Sequence, residues 1–162
     1  MNENKAVKLV GVDVNMLLNK LTEAFADEWV AAYQYWMCAK FAKGKLRANV
    51  VAEMMEHYHE EMKHANMLVD RIIQLGGQID LFHQKMHKAC ASQYDAIKNM
   101  QVTSILQENL KGERCAIEFY NDILKMVKGL DFITYHIILQ ILADEIKHEQ
   151  DLVQLLEDIA SY

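Results

Sequence analysis

Proline is absent from this 162-residue chain, glycine occurs six times and cysteine three times. With no proline, nothing forces a helix to kink or stop, and a turn-rich sandwich is a poor fit. The three cysteines, Cys38, Cys90 and Cys115, are too few for a disulfide scaffold and lack the C-x-x-C spacing of a zinc ribbon or rubredoxin-type site. Basic runs are missing too: 17 Lys and Arg lie scattered among 23 Asp and Glu, for a net charge of −6, and Lys5 and Lys8 form only a thin tail. Such dispersal argues against direct DNA binding, which needs clustered cations to displace counterions. The longest uncharged stretch, Phe132 to Ala143, is twelve residues, too short to span a bilayer. Met1 to Val10 carries no apolar core of signal-peptide length, so the sequence predicts a cytoplasmic protein with no membrane segment.

What the chain does have is the balance of a soluble globular protein, 52% apolar and 25% charged, and the length of one domain, residues 1–162. Its helix breakers divide it into four long helices. Asp13 caps a first that runs to about Ala42, and a second runs from about Lys45 to Leu75 before Gly76-Gly77. A polar stretch from Gln78 to about Asp95 has room for a short helix around Leu81 to Cys90. A third long helix ends near Gly129, and Asp131 caps a fourth that reaches about Ala160. The loops at Gly44 and Gly129 are short enough to force hairpins, and the middle link is long enough to cross over. The expectation is an all-α four-helix bundle with a long crossover between helices two and three.

The halves resemble each other. Glu28-x6-Tyr35 on the first helix matches Glu113-x6-Tyr120 on the third; Glu61-x-x-His64 on the second matches Glu145-x-x-His148 on the fourth. All four glutamates fall in the middle of apolar stripes. Glu28 shares its face with Leu17, Leu21, Ala24, Ala32, Tyr35 and Ala39. Glu61 shares its face with Met54, Tyr58, Ala65, Leu68 and Ile72. Glu113 lies with Val102, Leu106, Ile117, Tyr120 and Leu124, and Glu145 with Ile138, Ile141, Leu152, Leu156 and Ile159. A lone buried carboxylate costs several kcal/mol unless it is paired, protonated or metal-bound. Four at one level, with no Lys or Arg on those faces, call for two divalent cations, with two neutral imidazoles completing the ligand set. Oxygen and imidazole donors suit iron or manganese, and availability favours iron.

Other residues carry less. A third Glu-x-x-His copy, Glu56 to His59, lies off the apolar stripe and fits a solvated face. Tyr35 and Tyr120 are expected to pack, with a role toward the metals as the alternative; His57 is expected to be a satisfied neighbour of Glu61 and His64. Glu56 and Glu60 either line a cavity or form an ordinary acidic face. Cys38 is expected to pack, Cys115 points away from the core, and His83, His87 and His136 have no evident partners.

With these motifs in place, the chain resembles the ferritin-like superfamily from about Asp13 to Ala160. Glu28-Trp-Val-Ala-Ala-Tyr-Gln34-Tyr35 is similar to the first ferroxidase helix of bacterioferritin, and Glu61-Met62-Lys63-His64 to its second. The resemblance implies that Glu61 and Glu145 bridge two metals, that Glu28 and Glu113 are terminal ligands, and that His64 and His148 bind one metal each. Met62 stands where bacterioferritin has its haem-binding methionine; packing at a subunit contact is the expectation here, and haem is not carried over. The chain ends at Tyr162, directly after the fourth helix, which is closer to the twelve-subunit Dps-type cage than to cages with a fifth helix. A bacterioferritin-like site within one bundle on that frame resembles the Dps-like, or thioferritin, branch, whose cysteine pair is matched by Cys90 and Cys115. Those two are a redox pair by resemblance and ordinary thiols by their residues alone.

The resemblance thus implies a ferroxidase that oxidises Fe2+ with hydrogen peroxide or O2 and stores Fe3+ in a homo-oligomeric shell, an antioxidant role. Rubrerythrin chemistry falls with the missing four-cysteine site. The rivals are a di-iron or di-manganese peroxidase or catalase without storage, and a non-catalytic or DNA-compacting scaffold of the Dps kind.

Overall fold

The computed structural model describes residues 4–79 and 97–161. The expected short helix over Leu81 to Cys90 lies outside the described residues, as do His83, His87 and Cys90. Five helices are described: α1 (Lys5–Lys8), α2 (Val14–Phe41), α3 (Arg47–Gln74), α4 (Val102–Val127) and α5 (Phe132–Ser161). The four long ones match the expected bundle to within a few residues, except that the third starts only at Val102, past the expected end of the link near Asp95.

The caps follow local chemistry. Asp13 accepts the Met16 N–H at 2.7 Å, and Asp131 accepts those of Ile133 and Thr134 at 3.1 and 3.0 Å, satisfying donors that a helix start leaves unpaired. Gly129, at φ 74°, turns α4 back into α5 in a conformation that side chains rarely adopt. At the α3 terminus the constraint on Gly77 is packing: a Cβ there would lie 2.6 Å from Leu18 and 2.9 Å from Ile72.

Two features depart from the sequence expectation. The N-terminal tail is a short helix capped by Asn4, whose side-chain amide donates to the Gln74 carbonyl at 2.9 Å. The residues after the crossover also dock on the α2–α3 turn, where Lys43 N–H donates to the Met100 carbonyl and Val102 N–H to that of Lys43, both at 2.8 Å.

Helix α2 packs mainly on α3, and α4 on α5, so the bundle is two hairpins face to face. Buried apolar residues form two clusters, one around Leu17, Leu21, Leu68, Ile72, Ile123 and Ile138, the other around Ala39, Val50, Met54, Ile105, Leu106 and Leu152. Along every long helix the chain passes from one cluster to the other through its glutamate. Each fully buried Leu or Ile contributes about 1.5–3 kcal/mol, so two apolar layers clamp one polar layer between them. Arg71 ties α3 to the start of α5 through a buried ion pair with Asp131 at 2.8 Å and a hydrogen bond to Thr134 Oγ1 at 2.8 Å. No helix among the described residues is long and apolar enough to cross a membrane.

Candidate metal centre

The polar layer brings together Glu28 from α2, Glu61 and His64 from α3, Glu113 from α4, and Glu145 and His148 from α5. All six are buried, at 4% exposure or less. Their donor atoms form two overlapping groups, Glu28, Glu61, His64 and Glu145 in one, Glu61, Glu113, Glu145 and His148 in the other. In each, one donor atom per residue lies within 4.8 Å of the rest. Glu61 and Glu145 belong to both groups, and Glu28 and Glu113 to one each.

The imidazoles turn Nδ1 inward. His64 Nδ1 lies 3.1 Å from Glu61 Oε2, 3.1 Å from Glu145 Oε1 and 3.4 Å from Glu28 Oε2. His148 Nδ1 lies 3.3 Å from Glu61 Oε1, 3.2 Å from Glu145 Oε2 and 3.7 Å from Glu113 Oε2. Each Nε2 meets a carboxylate of the opposite hairpin, His64 with Asp144 at 3.0 Å and His148 with Glu60 at 2.7 Å. A carboxylate at the outer nitrogen fixes the tautomer that leaves Nδ1 free as a ligand. Glu60 is therefore neither a cavity residue alone nor an ordinary acidic face, as expected from sequence; it holds a histidine. Glu56 and His59 are exposed, in line with a solvated face.

The tyrosines also do more than pack. Tyr35 OH donates to Glu113 and Tyr120 OH to Glu28, again each to the opposite hairpin. A tyrosine on an apolar stripe reads as core, and Tyr35 and Tyr120 are indeed 1% exposed, but the hydroxyl end of each reaches a carboxylate. His57 departs from expectation in the other direction. It is fully buried and stacks on His148, with centroids 4.1 Å apart, yet neither of its nitrogens makes a hydrogen bond among the described residues. Burial, then the His148 charge, pushes its pKa down to about 3.

Burial and mutual repulsion shift the carboxyl groups of this layer in different directions. Burial, then Glu145 and Glu28, holds the Glu61 carboxyl well above the usual range, and burial followed by Glu145 raises Glu113 to about 7. Glu145 resolves the other way: burial and Glu28 push it up, but hydrogen bonds with His148, His64 and Glu113 outweigh them and leave it lowered. Burial acts against the charged forms of His64 and His148, and the surrounding glutamates reverse it, raising both. Divalent cations would displace these protons.

Cys115 is exposed, pointing away from the core as expected; Cys38 is buried, its thiol pushed up by burial. Met62 is half-buried beside the exposed aromatic residues Trp29, Tyr33 and Trp36 on the outer side of α2 and α3. His136 is exposed.

A bundle with carboxylates, histidines and tyrosines at these stations defines a class. The family model for the ferritin-like domain matches residues 18–161, and the chain belongs to that family. Within it the chain falls with the Dps-like thioferritins. It is 32% identical over 158 residues to the "DNA protection during starvation protein" of Pyrococcus furiosus, spanning 96% of this chain and 84% of that one. It is also similar to a dodecameric thioferritin, the bacterioferritin-related protein of Bacteroides fragilis, at 39% identity and TM-score 0.95, covering 98% and 96%. The Dps of Thermosynechococcus elongatus shares the fold at 16% identity and TM-score 0.82, with 94% of each chain covered.

Proposed function

We propose that Glu28, Glu61, His64, Glu113, Glu145 and His148 hold two iron ions per subunit, and that the protein oxidises Fe2+ and stores the Fe3+ product in a homo-oligomeric shell. The observation that carries this reading is a pair of ligand groups sharing Glu61 and Glu145, with no lysine or arginine beside them among the described residues. The residues fit the metal: Glu28 Oε2 is buried and accepts no hydrogen bond, so it is an oxygen in want of a cation. Carboxylate and imidazole donors suit iron, with manganese the alternative.

When bound, the iron pair supplies two electrons to hydrogen peroxide or to O2. The chain positions and tunes. Glu61 and Glu145, shared by both donor groups, would hold the two ions, with Glu28 and Glu113 each serving one of them. Their negative charge favours the ferric product over the ferrous reactant. Tyr120 and Tyr35 fix those end carboxylates, and Asp144 and Glu60 fix the histidines. Cations bound there would favour the charged forms of Glu61 and Glu113, whose pKa values are raised without them. Consuming peroxide together with Fe2+ suppresses hydroxyl radical, which makes the activity antioxidant.

Two features support a shell, and twelve subunits as its size. The B. fragilis thioferritin is described as dodecameric, and Trp29, Tyr33 and Trp36 expose an aromatic face of the kind that subunit contacts cover. The P. furiosus relative is named for DNA protection; removal of Fe2+ and peroxide achieves that without contact, and the dispersed basic residues favour this route over DNA compaction. Cys115, with Cys90, is the proposed thiol pair of the site.

Glu61→Ala or His148→Ala should abolish rapid Fe2+ oxidation in stopped-flow absorbance while circular dichroism and native mass stay unchanged. Undiminished oxidation would refute the site. Replacing Cys90 or Cys115 by Ser should alter peroxide-dependent turnover, and identical turnover makes the thiols bystanders. Release of O2 from peroxide without Fe2+ consumption would favour the catalase reading.

A further inference from the structure

Beside the dinuclear layer lies a third donor cluster that the proposed reaction does not use. Glu53, His57 and Asp151 each place one donor atom within 4.8 Å of the other two. His57 Nε2 is 3.2 Å from Glu53 Oε1 and 3.9 Å from Asp151 Oδ2. These contacts are not hydrogen bonds. Both His57 nitrogens are buried without a hydrogen-bond partner, although the imidazole is fully enclosed. A buried imidazole left unsatisfied is destabilising, so its presence calls for a ligand. The ring is held rigidly, face to face with His148 at 4.1 Å and edge-on to Tyr35 at 5.0 Å.

We infer that Glu53, His57 and Asp151 form a third cation site, mononuclear and distinct from the dinuclear pair, for a divalent transition metal. One imidazole and two carboxylates are a donor set for Fe2+, Mn2+ or Zn2+, and the nitrogen disfavours Mg2+ and Ca2+. The Glu53 and Asp151 side chains are 24% and 27% exposed, so the two carboxylates can be reached from solvent. A competitor is already there. Lys147 Nζ lies 3.0 Å from Asp151 Oδ2, but it is half-exposed and has a second partner in Glu56 at 3.4 Å, so a dication displaces it without leaving it unpaired. The site also adjoins the pair, because a nitrogen of His57, a carboxylate oxygen of Glu113 and a nitrogen of His148 lie mutually within 4.8 Å. An ion here would sit one imidazole away from the dinuclear centre, on the solvent side.

Zinc tests this without turnover, being redox-inert. The assembled protein, dialysed against Zn2+ with excess Mg2+, should bind three ions per subunit. Crystals measured at the zinc edge should show one anomalous peak among Glu53, His57 and Asp151, apart from two in the glutamate layer. The double variant Glu53→Gln, Asp151→Asn should lose that peak and keep the other two. Lys147→Met should tighten the third site by about two- to fivefold, the worth of one half-exposed ion pair. Wild-type saturation with no peak at His57, or a third peak that survives the double variant, overturns the inference. Glu61→Ala separates the two claims: it should cost the paired peaks and leave the third, whereas a third peak in a wild type lacking the pair defeats only the dinuclear reading.

Discussion

The two sides of the proposed dinuclear layer have the same candidate ligands and different surroundings. Glu28 corresponds to Glu113, Tyr35 to Tyr120, Glu60-Glu61 to Asp144-Glu145, and His64 to His148. Each tyrosine, and each outer carboxylate, reaches across to the opposite hairpin. Beyond these residues the correspondence fails. The position matching His57 is Ile141, those matching Glu53 and Asp151 are Ile137 and Met67, and that matching Asn109 is Ala24. One side of the layer therefore abuts aliphatic core. The other abuts His57 and a bridge in which Gln34 donates to Asn109 Oδ1 at 3.1 Å and Asn109 donates to the Ile105 carbonyl at 2.8 Å. The halves match at the residues proposed to hold two like ions and differ where the proposed single ion would lie.

The largest effects should come from residues both sides share. Glu61→Ala or Glu145→Ala removes a donor from each metal position, so rapid Fe2+ oxidation should disappear in stopped-flow traces; an effect no larger than that of Glu28→Ala would mean that they do not bridge. Outside the layer, Asp131→Ala strands the buried Arg71 charge and should cost about 3–5 kcal/mol in denaturant unfolding. A loss under 1 kcal/mol would show that the ion pair does not anchor α5. Next come the outer carboxylates. Asp144→Ala and Glu60→Ala should each weaken binding of one metal by about 10–100-fold, at different positions in the pair, read by equilibrium titration with Zn2+. Loss of the same site in both variants would break the proposed symmetry. Tyr35→Phe and Tyr120→Phe should be the mildest, slowing oxidation about tenfold and by similar factors, since each removes one charge-assisted hydrogen bond. A large inequality would place the asymmetry inside the ligand set.

Much of this was legible in the sequence, and the misses share one cause. Mid-stripe glutamates at matched offsets in two halves locate the layer, because apolar helix faces tolerate acids only with compensation. The helix ends followed from Asp13, Asp131 and the glycines. The roles of Tyr35 and Tyr120 were not readable, because a tyrosine on a core face serves packing equally well and its hydroxyl partner lies 78 or 92 residues away. Asp144 and Glu60 left a signal that could have been used: extending each Glu-x-x-His motif one residue backward finds an acid in both halves. His57 gave none, since its partners are set by how α3 meets α5.

Protonation adds a pH dependence of stated sign. Glu61 and Glu113 have folded pKa values above the ordinary carboxylate value, Glu113 at about 7, so the fold holds protons that the unfolded chain has lost. That stability is present in acid and is lost as pH rises through about 7. For chelator-stripped protein, the gain in Tm on adding Zn2+ should therefore be larger at pH 7.5 than at pH 5.5.

The most direct test is diffraction from crystals soaked anaerobically in ferrous salt, recorded on both sides of the iron absorption edge. Two anomalous peaks about 3.5–4 Å apart, flanked by Glu61 and Glu145 and capped by Glu28 and Glu113, are the expected result. Density without iron between those four carboxylates, or side chains turned away into solvent, would contradict it.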